Sequence, residues 1–190
     1  MDAEQDIVIA RTRQWVEEVV IGLNLCPFAG RPWHEGRVDI RVSNAEQAEA
    51  LAEDLAGALL DLSATEPGDC ETRLLVHPRV LEDFLDYNDF LDLADRLVDQ
   101  LGLSGQFQIA SFHPDYQFAD TDAADRSNWT NRSPYPMLHL LREASVTEAT
   151  DRLDHPEAIY ERNIRTLDAL DEAAWTRLFQ QPVRTDFQSG

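Results

Sequence analysis

The sequence predicts an α/β fold, with α+β as the alternative: a mixed, partly parallel sheet of about four strands, flanking helices, an N-terminal helix and a C-terminal helical tail. Three observations predict it. Short runs at 37–42, 72–76, 107–112 and 137–141 are rich in Val, Ile, Leu and Phe and are bounded by turn residues, as strands are. Longer segments with apolar residues at helical spacing separate the first three of these runs. Strands that alternate with helices return through right-handed crossovers, which makes at least part of the sheet parallel.

Residues 4–23 read as the first helix, with Val8, Trp15, Val16, Val19, Val20 and Leu23 on one stripe. It ends at Asn24-Leu-Cys-Pro-Phe28, because Pro27 disfavours helix at Cys26. Residues 37–42 alternate polar and apolar, as a half-buried strand does. Ser43-x-x-Glu46 has the form of a capping box opening a helix through Leu51, Leu55, Leu59 and Leu62. Pro67-Gly68 ends that segment before the strand at 72–76. A helix from about Leu81 runs to Leu101 and stops at Gly102, ahead of the strands at 107–112 and 137–141. Ser145-x-x-Glu148 is a second capping-box pattern, and Pro156 suits the first position of the amphipathic tail.

A chain of 190 residues without a linker or repeat reads as one domain spanning 1–190. A net charge of −20 repels nucleic acid and anionic lipid, so neither is expected as a partner. All 16 basic residues are arginine. Without lysine there is no Schiff base, no pyridoxal phosphate anchor and no P-loop or kinase lysine, and anions must be held by Arg or backbone N–H groups. Two cysteines, Cys26 and Cys70, suggest no disulfide framework. The acidic start lacks the pattern of a signal peptide and no apolar run reaches membrane-spanning length. A cytoplasmic protein with reduced thiols is expected; the sequence leaves its oligomeric state open.

The segment 113–136 stands apart. It has no apolar periodicity and is longer than the roughly 12–15 residues that unstructured connections usually reach in compact domains. Tyr116, Phe118, Trp129 and Tyr135 argue against disorder, which is poor in aromatics, so an ordered site loop is expected. It opens on His113-Pro114, matching His77-Pro78 after the second strand. If both strands point the same way, both imidazoles reach one sheet edge, where open α/β sheets place ligand crevices. They could act as acid/base groups or bind a metal ion, or simply end two strands; the second reading suits His77, the first His113 beside Asp115. In Asn128-Trp-Thr-Asn-Arg-Ser133, Asn131 and Arg132 can bind a carboxylate, phosphate or carbonyl, or can satisfy the loop's own backbone.

Cys26-Pro-Phe-Ala29 resembles the active-site motif of glutaredoxins, but Ala29 replaces the second cysteine and excludes dithiol chemistry. A nucleophilic Cys26 and a buried structural one both remain open. His34, His139 and His155 are scattered, with no pair at zinc-site spacing.

Gly22-Leu-Asn-Leu-Cys-Pro-Phe-Ala29, Ala110-Ser-Phe-His-Pro-Asp-Tyr-Gln-Phe118 and the segment Asn131 to Glu143 resemble a mainly bacterial family called domain of unknown function 1415. The resemblance covers most of the chain and implies that Cys26, His113, Tyr116, Asn131, Arg132 and His139 fall in hallmark segments. It implies no particular reaction or cofactor. The resulting expectation is an enzyme, a hydrolase or transferase, acting on a small polar or anionic metabolite. Its catalytic residues are His113, Asp115 and Cys26, and its substrate-binding residues Tyr116, Asn128, Asn131, Arg132 and His139. A non-catalytic small-ligand or metal-binding regulator is the alternative, and an acidic interaction module a third.

Overall fold

A computed structural model describes residues 3–151 and 158–179. Its strands are β1 (Val38–Val42), β2 (Thr72–Val76), β3 (Phe107–Phe112) and β4 (Met137–Arg142), joined in one sheet in the order β1-β2-β4-β3. β1 and β2 pair in parallel, while β4 runs antiparallel to both β2 and β3. β2 and β3 therefore point the same way with β4 between them, and the two His-Pro pairs do leave at one edge. The patterns explain the order. β2 and β4, the most buried strands, take the two central places, while β1 alternates at the edge with Asp39 and Arg41 on one face.

One face of the sheet packs on α3 (Ala48–Ser63) and α4 (Phe84–Gln100). Leu75, Leu138 and Leu140 meet Leu55, Leu59 and Phe90 there. The other face brings Leu74, Val76 and Met137 against Val8 and Val16 at the N-terminus. Burying each such aliphatic side chain contributes about 1.5–3 kcal/mol. Arginine supplies what the missing lysines cannot. Arg142 on β4 donates to the carbonyls of Leu62, Thr65 and Cys70, capping α3, which has no basic residue in its last turn.

Several local expectations are corrected. The N-terminal helix is α-helical only as α1 (Ala3–Trp15) and continues as a π-helical segment, Val16–Ile21. Gly22 ends that segment; a Cβ there would lie 2.3 Å from the Glu18 carbonyl oxygen. A short helix, α2 (Gly30–His34), follows the Cys-Pro-Phe turn; at five residues it is too brief for periodicity to reveal. Ser43 does not cap α3: its hydroxyl donates to Asp54 at 2.5 Å and accepts from Ala45 N–H, and the helix starts five residues later. Asp83, not the residues near Leu81, opens α4, accepting from the N–H groups of Leu85 and Asp86. Ser145 lies inside α5 (Glu143–Asp151), which continues directly from β4, so the second capping box does not form. The tail forms α6 (Ala158–Asp168) and α7 (Glu172–Phe179). Pro156 and His155 lie outside the described residues. No helix among the described residues is long and apolar enough to cross a membrane.

Candidate functional site

The loop 113–136 is built by its own polar side chains. Asn128, fully buried, accepts from Phe118 N–H and the Thr121 hydroxyl and donates to the Asp122 carbonyl, closing the 118–122 turn at 2.9 Å in each bond. Arg132 lies over the Trp129 ring and donates to the carbonyls of Tyr116 (3.1 Å) and Ala123 (2.8 Å). Asp125 caps a single 3-10 turn, Arg126–Thr130, through Ser127 N–H. Asn131 donates through Nδ2 to the Ser111 carbonyl on β3.

Aromatic contacts tie this loop to both the core and the tail. His113 touches Phe84 at 5.4 Å, Phe84 touches Tyr116 at 5.2 Å, Tyr116 touches Phe118 at 5.0 Å, and Phe118 meets Tyr160 of α6 edge-on at 5.8 Å. Trp129 joins Trp175 and Phe179 of α7 in a second cluster. Arg126 stacks on Trp175 and donates to the carbonyls of Leu167, Asp168 and Leu170, holding the end of α6 onto the loop.

The two histidines do meet, around Tyr87 of α4: its ring lies 5.8 Å from His77 and 5.0 Å from His113. Both imidazoles are fully buried. His113 donates from Nε2 to the Leu81 carbonyl (3.1 Å) and accepts at Nδ1 from the Asp115 backbone N–H (3.0 Å), which fixes the neutral Nε2–H tautomer. His77 donates from Nδ1 to the Val80 carbonyl, and its Nε2 has no hydrogen-bond partner. The pair thus holds successive carbonyls of the turn before α4. Leu81 sits there at φ 57°, a conformation bulky residues adopt only under constraint. Burial pushes His77 down to about 4 and lowers His113 too, against smaller raising effects from the Leu81 bond and the Asp115 charge. The Tyr87 hydroxyl donates to Met137 O and accepts from Phe112 N–H, and burial raises its pKa. This edge is closed: neither nitrogen of His113 is left for a substrate.

The open site lies beside it. A cleft of about 390 Å³ forms where the end of β3, the Cys-Pro-Phe turn, the loop and α6 converge. Phe112, Phe118, Val20 and Leu25 supply apolar walls; α6 adds Ile159, Tyr160 and Asn163. Cys26, Thr130 and Asn131 complete the lining. Burial raises the Cys26 thiol, opposed by the backbone N–H groups of Phe28 and Ala29 and by the Arg162 charge.

The expected residues therefore divide. Cys26 and Asn131 come together in the cleft. Tyr116 stands behind it, packed on Phe118. Asn128 and Arg132 serve the loop's backbone, and burial lowers the pKa of Arg132. Asp115 is exposed and orients His113 through its backbone rather than its carboxylate. His139 lies on the sheet face toward α1, its Nε2 2.8 Å from the Thr72 hydroxyl, in surroundings close enough to push it down to about 4. Among the described residues no group of three His, Cys, Asp or Glu could hold a metal ion. Both cysteines are free thiols. Sequence reasoning missed Asn163 and Tyr87. Ile159, Asn163 and Leu167 share one stripe of α6, so an amide on an apolar stripe was the readable signal.

No curated protein and no solved structure shows significant similarity to this chain. A family profile matches residues 7–177, nearly all of the described chain, including the Cys-Pro-Phe turn, the loop, α6 and most of α7. The chain belongs to the family described as protein of unknown function DUF1415.

Proposed function

We propose that this protein binds a small molecule in the cleft lined by Cys26, Phe118, Asn131 and Asn163. The observation that carries the reading is the convergence of four separate chain segments on one concave, mainly apolar space holding a few polar groups. Small-molecule sites have this character, and the cleft falls within their usual range of roughly 300–1,000 Å³. Its position just outside the carboxyl end of β3 is where open α/β sheets place ligands. Cytoplasmic location and the exclusion of nucleic acid belong to the same proposal and rest on composition and charge.

A second reading, an enzyme, is favoured by one feature of the Cys26 environment. Cys26 lines the cleft, and two backbone N–H groups and the Arg162 charge partly offset the burial that raises its thiol, so a ligand that places an electrophile at Sγ meets a nucleophile whose thiolate forms above the ordinary thiol range. In that reading Cys26 does the chemistry, and His113 acts as a positioning residue that fixes the start of the loop.

Ligand-observed NMR with a metabolite library, on wild type and on Ile159→Trp, tests the proposal. The indole fills the cleft from α6. Compounds that bind wild type and fail to bind the folded variant support the reading. A broad library yielding no such compound overturns it.

A further inference from the structure

The chemistry of the cleft narrows its ligand. Resting on the reading that the cleft is the binding site, we propose that it takes a neutral, planar heteroaromatic lactam: a flat ring system carrying a ring N–H beside a ring C=O.

Charge sets the first limit. Among the described residues that line the cleft there is no carboxylate, arginine or histidine. Two arginines beside the lining residues are already used: Arg132 on the carbonyls of Tyr116 and Ala123, Arg162 on the Asn24 carbonyl and the Asn163 side-chain oxygen. A cation entering this space gives up its water with no countercharge among the described lining residues, and an anion meets a surface of net charge −20, the Arg162 guanidinium near Cys26 being already bonded to the Asn24 carbonyl and the Asn163 side-chain oxygen. The ligand is therefore neutral, in contrast to the anionic metabolite expected from Arg132.

The walls set its shape. Phe112, Phe118 and Tyr160 present ring surfaces, and Tyr160 closes edge-on against Phe118 with the two planes 86° apart. Such surfaces take a flat π-system face-on or edge-on.

Hydrogen-bond arithmetic sets its polar edge. Asn131 uses one N–H on the Ser111 carbonyl, and its oxygen receives only a share of the single Thr130 hydroxyl proton, which also points at the Ser127 carbonyl. Asn163 uses one N–H on the Leu25 carbonyl, and its oxygen accepts from Arg162. Each amide keeps one N–H and one lone pair. A free amide N–H and a free amide lone pair call for an acceptor and a donor on the ligand, which the adjacent C=O and N–H of a lactam edge supply and a hydrocarbon or an ether does not.

The test uses three probes on the intact chain: carbostyril, a bicyclic lactam; N-methylcarbostyril, which keeps size and ring but loses the donor; and naphthoate, an anion of similar outline. Dissociation constants come from NMR titration of wild type and Ile159→Trp. The expected result is saturable carbostyril binding that Ile159→Trp abolishes, with N-methylation and the anion each weakening binding about tenfold. Equal affinity for N-methylcarbostyril, or tighter binding of naphthoate, overturns the lactam assignment while leaving the cleft reading in place. Failure of all three probes, when other library compounds bind in an Ile159→Trp-sensitive way, overturns the assignment alone. Failure of every compound overturns both.

Discussion

Two regions at the same edge of the sheet, which meet where Phe112 passes to His113, spend their polar side chains in opposite ways. Around Tyr87, the groups of His77, His113 and the tyrosine hydroxyl are turned inward on backbone carbonyls and N–H groups, and the one nitrogen among them left unpaired, His77 Nε2, is fully buried. In the cleft, Asn131 and Asn163 each make one backbone bond, accept one side-chain bond, and keep an N–H and a lone pair beside open volume. A reactive residue type in a loop is therefore poor grounds for assigning chemistry. What matters is how many of its bonds the fold has already taken.

The largest expected effect breaks the closed region. His113→Ala removes a buried ring and leaves the Leu81 carbonyl and the Asp115 N–H without partners, at a cost of about 3–4 kcal/mol in urea unfolding. A normally stable variant that loses turnover on an identified substrate would return His113 to the chemistry.

Next comes pH. His77 is buried neutral with a folded pKa near 4 against the ordinary 6.5. Between these values the unfolded chain binds more protons, so stability is full above pH 6.5 and falls as the pH drops toward 4. The loss reaches about 3 kcal/mol from this group, with His113 adding in the same direction. Urea midpoints at pH 7 and 4.5 measure it; a midpoint unchanged for wild type would show that the imidazole is not held neutral.

A smaller effect, about 1–2 kcal/mol, is expected for Arg126→Ala, which frees the end of α6 from the loop. Hydrogen exchange in α6 should rise while exchange in β2 and β4 stays slow. Uniform exchange across both would mean that α6 and the sheet open as one unit.

The smallest effect belongs to the open region. Cys26→Ser should change stability by less than about 1 kcal/mol, since the thiol lines a space rather than filling the core. Alkylation of wild-type Cys26 should be slow at neutral pH and should rise only above the usual thiol range, because burial outweighs the groups that favour the thiolate. Rapid modification at pH 7 would shift the balance toward the enzymatic reading.

The arrangement of helices and strands was legible because burial leaves a period. Leu51, Leu55, Leu59 and Leu62 recur at helical spacing, and Val38-Asp-Ile-Arg-Val42 alternates as an edge strand must. The loop announced itself by lacking any period while keeping its aromatics. Three of those aromatics, Tyr116, Phe118 and Trp129, now have assigned contacts in Phe84, Tyr160, Trp175 and Phe179. Element ends were read less well. Ser43 and Ser145 carry the pattern of a cap, yet one is taken by Asp54 and the other lies within a helix, because a hydroxyl bonds whichever group tertiary packing brings nearest.

The sequence by itself determined the fold class, the family and the segments that matter, since each is written in local pattern and composition. Tertiary structure alone decided which of the marked residues line the cleft. That outcome depends on partners distant in the chain: Leu81 for His113, Tyr116 for Arg132, Leu25 for Asn163. A polar side chain is available to a ligand only when the backbone folded around it leaves a bond unmade, and no local pattern records that.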